Sequence, residues 1–145
     1  RALVVARDSG NRYNESNLLA MLCRLEADHG EAAAAFHYSA AAIGRYHDSG
    51  NATMMRIPLA VAAALSDRLG RHESAATIAG FAVHPLIAAA YPEFDRTIAH
   101  LRDVLGDETY ESLAHKGEMM ATAEMVAYAH EQIDQARTKL DAVSK

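Results

Sequence analysis

Eight histidines in 145 residues raise the question of whether this chain holds a metal or moves protons. A metal gripped from a single helix needs donors at i and i+4, and a compact site elsewhere needs a tight group of cysteines and histidines. His29, His37, His47, His72, His84, His100, His115 and His130 contain no such pair. His72-Glu73 opens like H-E-x-x-H, but Ala76 stands where the second histidine is required. The spacing therefore predicts no metal and no cofactor. His29, His47 and His100 fall near expected helix C-termini, where the macrodipole favours a cation.

The other reactive side chains read the same way. Asp107, Glu108, Glu111 and Glu118 could be imagined as an acid-base cluster, yet the first two stand at a helix start, where acids are stabilising on structural grounds. Cys23 lies on a leucine-rich helix with no nucleophile signature around it and reads as an inert thiol. The adjacent pairs Met54, Met55 and Met119, Met120 suit core filling. No catalytic residue emerges, so the segment is not expected to be an enzyme. Among six tyrosines, Tyr38 and Tyr46 lie eight apart on one alanine-rich helix and are the candidate partner contacts, with a lid over the core as the structural alternative.

The elements that carry these residues are helices. Apolar residues recur at three- and four-residue steps: Leu18, Leu22, Leu25; Phe36, Ala40, Ile43; Ile57, Val61, Ala64, Leu65; Ala75, Ile78, Ala79, Ala82; Phe94, Ile98, Leu101, Leu105; and Val126, His130, Ile133, Arg137, Leu140. Gly10, Gly30, Gly50, Gly70 and Gly106 each follow such a run, where a left-handed C-terminal cap favours glycine. Asn14, Asn51, Asp107 and Thr122 are expected N-caps, and Pro92 suits the first turn of the helix carrying Phe94. Pro58 either opens a helix at Ile57 or kinks one begun near Ala52. His84-Pro85 and Tyr91-Pro92 bracket the least regular stretch, with a helical turn allowed over Leu86 to Ala90.

Helices joined by short glycine turns pair antiparallel, and the pairs repeat weakly. Ala35 and Ser39 stand five and nine residues past Gly30, and Ala75 and Ala79 stand at the same offsets past Gly70. Apolar residues lie eight and eleven before each glycine: Leu22 and Leu19, then Ala62 and Leu59. The glycine steps, 30 to 70 and 70 to 106, are 40 and 36 residues, against a tetratricopeptide period of about 34. The expected fold is all-α: stacked antiparallel helix pairs forming a right-handed, tetratricopeptide-like solenoid over a single domain, 1–145. Its units are a leading helix at 1–13, then 14–50, 51–91 and 92–145 with a C-terminal capping helix. An ordinary alanine-rich bundle is the plainer alternative.

Composition narrows the function. The net charge is −5 and the cations are scattered, which argues against direct nucleic-acid contact by this segment. One cysteine excludes an internal disulfide, and no apolar run approaches membrane-spanning length, so a cytoplasmic setting without membrane contact is expected. The start at Arg1, within an apolar periodic run, reads as a fragment of a larger protein, and an unpartnered first helix suggests self-association into a homodimer.

Several segments go further. ALVVARDSGN (2–11), LCRLEADHGEAAAA (22–35), LGRHESAATIAGFA (69–82), RTIAHLRDVLGDETYESLAHKGEMM (96–120) and ATAEMVAYA (121–129) resemble the C-terminal helical-repeat region of large bacterial LuxR-type regulators built around a signal-transduction ATPase, and of related cyclase-linked regulators. The most specific part is Leu105-Gly106, Tyr110, Gly117 and the run from Thr122. His115 departs from the pattern, since relatives carry a larger aromatic there. The resemblance implies a regulatory segment that binds a protein or peptide partner and relays the signal to an ATPase or cyclase and a DNA-reading domain elsewhere in the parent. None of those machineries is visible here: the chain has no G-x-x-x-x-G-K-[ST] loop and no G-x-G-x-x-G. The alternatives are a small-ligand domain with a pocket between helices lined by tyrosine and histidine, or a structural spacer or oligomerisation element.

Overall fold

A computed structural model describes residues 21–22 and 31–144, with side chains described as far as 140. The expectations for Leu18, Leu19, Cys23, Leu25 and His29, for the caps at Gly10, Asn14 and Gly30, and for the unit 1–13 lie outside the described residues. Seven helices follow among those described: α1 (Ala32–Asp48), α2 (Ala52–Arg68), α3 (His72–Ala82), α4 (Pro85–Ala90), α5 (Phe94–Leu105), α6 (Asp107–Glu118) and α7 (Thr122–Ser144). No strand occurs among them.

Two identical corners set the first three helices. At the end of α1 the Gly50 N–H donates to the His47 carbonyl (3.1 Å) and the Asn51 N–H to that of Tyr46 (2.8 Å). At the end of α2 the Gly70 N–H donates to Asp67 (3.0 Å) and the Arg71 N–H to Ser66 (2.9 Å). These are Schellman closures, and they need the left-handed backbone that Gly50 (φ 75°) and Gly70 (φ 81°) supply. Asn51 then caps α2, its side chain accepting from the Met54 N–H at 3.1 Å.

Pro58 does not open a helix. It sits inside a continuous α2, and its carbonyl accepts from the buried Ser39 hydroxyl of α1 at 2.8 Å. Ser39 thereby ties the two helices at their contact. The repeat signal lands where close packing needs it: Ala35, Ser39, Ala75 and Ala79 are all 0% exposed, as are Ala62 and Leu59. From Pro58 to Asp67 every residue of α2 is buried, and the stretch Ala60 to Ala64 is alanine apart from Val61. An α-helix buried all round belongs at the centre of a bundle, and α2 indeed touches α1, α3, α4, α5 and α7.

Helix order and neighbour order part company after α3. The main partner of α3 is α6, with α4 and α5 forming an excursion over α2 and α3 between them. The final helix returns to α1 and α2. In an open array each unit contacts only its neighbours, whereas here the last helix lies back on the first one described. Its buried stripe is Met125, Ala129, Ile133 and Ala136. The expected stripe through Val126, His130, Arg137 and Leu140 is half-buried beside it, one position round the helix. Two expected caps shift by one: Gly106 precedes α6 with Asp107 its first residue, and the Ala121 N–H, ahead of α7, is held by the Glu124 carboxylate at 3.0 Å. Pro92 precedes α5, whose N-cap is Glu93.

The helices α3 and α6 approach each other closely. A Cβ added at Gly80 would stand 1.9 Å from the Ala114 carbonyl oxygen, and one added at Gly117 would stand 1.7 Å from that of Thr77. The two helices therefore cross antiparallel, each presenting a glycine to the other's backbone. Beside this crossing, Arg102 of α5 lies over the Tyr110 ring at 4.6 Å and pairs with Asp107 and Glu111 of α6. Glu111 raises the Arg102 guanidinium above its ordinary value. Burial raises the Tyr110 phenol, opposed by the charge of Arg102. A raised phenol stabilises the fold below its unfolded value near 10, and that contribution is lost as pH rises through the folded value. Tyr110→Phe should accordingly melt near wild type at pH 7 and lose less of its melting midpoint than wild type between about pH 9 and 11. Parallel alkaline curves for the two proteins would contradict this.

Candidate functional site

The last turn of α2, the corner after it and the middle of α5 bring three chemistry-bearing side chains together. His72 Nδ1 lies 2.8 Å from Asp67 Oδ1. His100 Nδ1 lies 2.9 Å from the same oxygen and 2.7 Å from Oδ2. The Gly70 closure sets the separation of Asp67 and His72, because the Gly70 N–H is bonded to the Asp67 carbonyl itself. The contacts of α5 with α2 and α3 deliver His100 from the other side. The two imidazoles meet edge to face with centroids 5.8 Å apart. The Asp67 side chain is 9% exposed, that of His72 26% and that of His100 54%.

With each imidazole neutral and its proton on Nδ1, both rings donate to one carboxylate and satisfy a group that would be costly to bury alone. Each ring then keeps Nε2 as a free lone pair. The same three donor atoms lie within 4.8 Å of one another, so two nitrogens and an oxygen could also close on a cation. Spacing along one helix did not reveal this group, because its members come from three elements and are 5 and 28 residues apart in sequence. The remaining described histidines do not join it. His84 caps α4 by accepting from the Leu86 N–H at 3.0 Å, His37 meets Tyr38 edge to face at 5.5 Å, and His115 is an exposed neighbour of Glu118.

Next to the cluster runs an open cleft of about 630 Å³, lined by Arg71, His72, Glu73, Ser74, Leu105, Tyr128, Gln132 and Lys139. Arg71 spans its floor, donating to Gln132 at 2.8 Å and Gln135 at 2.9 Å, and so ties the α2–α3 corner to α7. Asp67 lines a second cleft, of about 300 Å³, with Arg68, Tyr91, Glu93, Arg96 and Thr97.

The two tyrosines expected to meet a partner are placed differently. Tyr46 is 1% exposed and belongs to the core, so it offers a partner no surface. Its offset from Tyr38 gave no hint of this, because an eight-residue step on α1 also fits two side chains facing inward. Tyr38 is half-buried against the same core and keeps an exposed edge. Of the methionines, Met55 is buried and Met54 and Met120 half-buried, as core filling requires, while Met119 is 69% exposed. The acidic residues Asp107 and Glu111 both engage Arg102.

Comparison with known proteins returns no matching family model, no curated protein and no solved structure. Among the described residues, no helix is long and apolar enough to cross a membrane.

Proposed function

We propose that this chain is a protein-interaction segment of a larger cytoplasmic regulator, a tetratricopeptide-like repeat turned back on itself by its last helix, and that it binds its partner along the cleft between the α2–α3 corner and α7. The character of that cleft carries the reading. Pockets for small molecules are enclosed and mainly apolar. This one is open, and among the described residues Leu105 and Tyr128 are its large hydrophobic walls, beside Arg71, His72, Glu73, Ser74, Gln132 and Lys139. Side chains of both charges along an open trough suit a polar peptide or a protein edge, which they orient and select. The repeated small residues at the α1–α2 and α2–α3 contacts support the repeat reading, and the resemblance to regulator C-terminal regions supports the setting. The segment itself then performs no catalysis and transmits occupancy to an effector domain of its parent.

The test uses two exposed rim residues, Glu73 and Lys139. The double variant Glu73→Lys, Lys139→Glu should melt like wild type yet recover partner proteins from proximity labelling in cells at roughly a tenth of the wild-type level or less. Unchanged recovery sinks the cleft assignment. Saturable thermal stabilisation by a metabolite, abolished by the same variant, would move the cleft to the small-ligand reading.

A further inference from the structure

We infer that Asp67, His72 and His100 form a divalent transition-metal site of the zinc class, with two imidazole nitrogens and one carboxylate oxygen as ligands and a fourth position open to solvent. The donor set is the first argument: imidazole with carboxylate suits Zn²⁺, Ni²⁺ and Cu²⁺, and three protein ligands with one open position is a known zinc arrangement. The convergence is the second, with three elements contributing atoms within 4.8 Å of one another.

Electrostatics adds a third argument. Asp67 is buried in the last turn of α2, at the negative end of that helix, where a cation is favoured and a lone carboxylate is not. Ligand atoms around a tetrahedral zinc with bonds near 2.05 Å stand roughly 3.3 Å apart. The N···O separations here are 2.7 to 2.9 Å, so the cluster must open by about half an ångström. The half-exposed His100 can give that by side-chain rotation, and the partly exposed His72 ring must also swing back from its 2.8 Å contact with Asp67, while the backbone of the corner stays as it is. To bind through Nδ1, each ring must present a lone pair there in place of the hydrogen bond it now makes to Asp67. The cleft beside Asp67 offers the way in. Its walls carry Arg68 and Arg96 as well as Glu93, so affinity comes from the donor atoms and not from an acidic field. A bound ion would join the α2–α3 corner to α5 and so brace the rim of the neighbouring cleft.

The experiment is a titration of the whole 145-residue chain with Co²⁺, read by visible absorption, followed by competition with Zn²⁺. The expected result is one equivalent bound with tetrahedral Co²⁺ bands, displaced by Zn²⁺, and a melting midpoint raised by Zn²⁺. His100→Ala and Asp67→Asn should each weaken binding by about 100-fold or more and abolish the thermal shift. His115→Ala should change neither. No saturable uptake by folded wild type overturns the site, as does uptake that survives unchanged in both His100→Ala and Asp67→Asn. Because the cleft variant of the previous section leaves all three ligands in place, loss of the metal site and loss of partner binding are separately detectable.

Discussion

Gly117→Ala should lower stability by about 2 to 4 kcal/mol and the melting midpoint by roughly 10 °C, although the same change in an ordinary helix interior gains about 1 kcal/mol. The two effects have opposite signs, and geometry decides between them. The added methyl would stand 1.7 Å from the Thr77 carbonyl oxygen, a distance no rotamer can relieve because the obstacle is backbone. The helices must separate, which breaks the contact of α3 with its principal neighbour α6. Gly44, inside α1, is the matched control: among the described residues an added Cβ there meets nothing within 4 Å, so Gly44→Ala should be neutral or slightly stabilising. Thermal melts of the two variants beside wild type check this directly. A Gly117→Ala protein melting at or above the wild-type midpoint would disprove the close crossing.

Ile133→Asp should cost about 3 to 5 kcal/mol if α7 stays docked, which is enough to release it instead. Ile133 is 1% exposed at the middle of the stripe that α7 presents to the core, and among the described residues the buried set holds no cation to pair with a carboxylate. Hydrogen exchange read by mass spectrometry distinguishes local from global failure. The expected outcome is loss of protection along α7, with α2 and α3 retaining theirs, since those two are held chiefly by α1, α6 and one another. Uniform loss across all helices would mean that α7 is integral to one cooperative unit. Protection of α7 equal to wild type would refute its docking.

Much of the architecture was legible because helical periodicity and glycine caps are local signals. Gly50, Gly70 and Gly106 announce helix ends by the backbone they alone adopt cheaply, and all three have positive φ. Asn51 announces the start of α2 in the same way, through a side chain that reaches three residues ahead. The small residues at 35, 39, 75 and 79 were readable as contact positions because close packing admits only small side chains there, although the bond from Ser39 to the Pro58 carbonyl was not. What escaped depends on which helix meets which. Gly80 and Gly117 look like defects in their own helices until the crossing of α3 and α6 is known. The return of α7 to α1 leaves no mark in any short window. Asp67, His72 and His100 were invisible as a group for the same reason, since each has an ordinary local explanation and only the arrival of α5 makes them neighbours. Tyr46 shows the reverse limit: a residue type common at interfaces is equally at home as a buried aromatic, and sequence spacing does not separate the two.

The alanine interior of α2 bears on how this protein responds to temperature. Unfolding raises heat capacity in proportion to the apolar area it exposes, and Ala60, Ala62, Ala63 and Ala64 each hide little more than a methyl group. Alanine also surrenders no rotamer freedom on burial. Burial of such a helix therefore contributes little to the heat-capacity change of unfolding, and with it little to the curvature of stability with temperature.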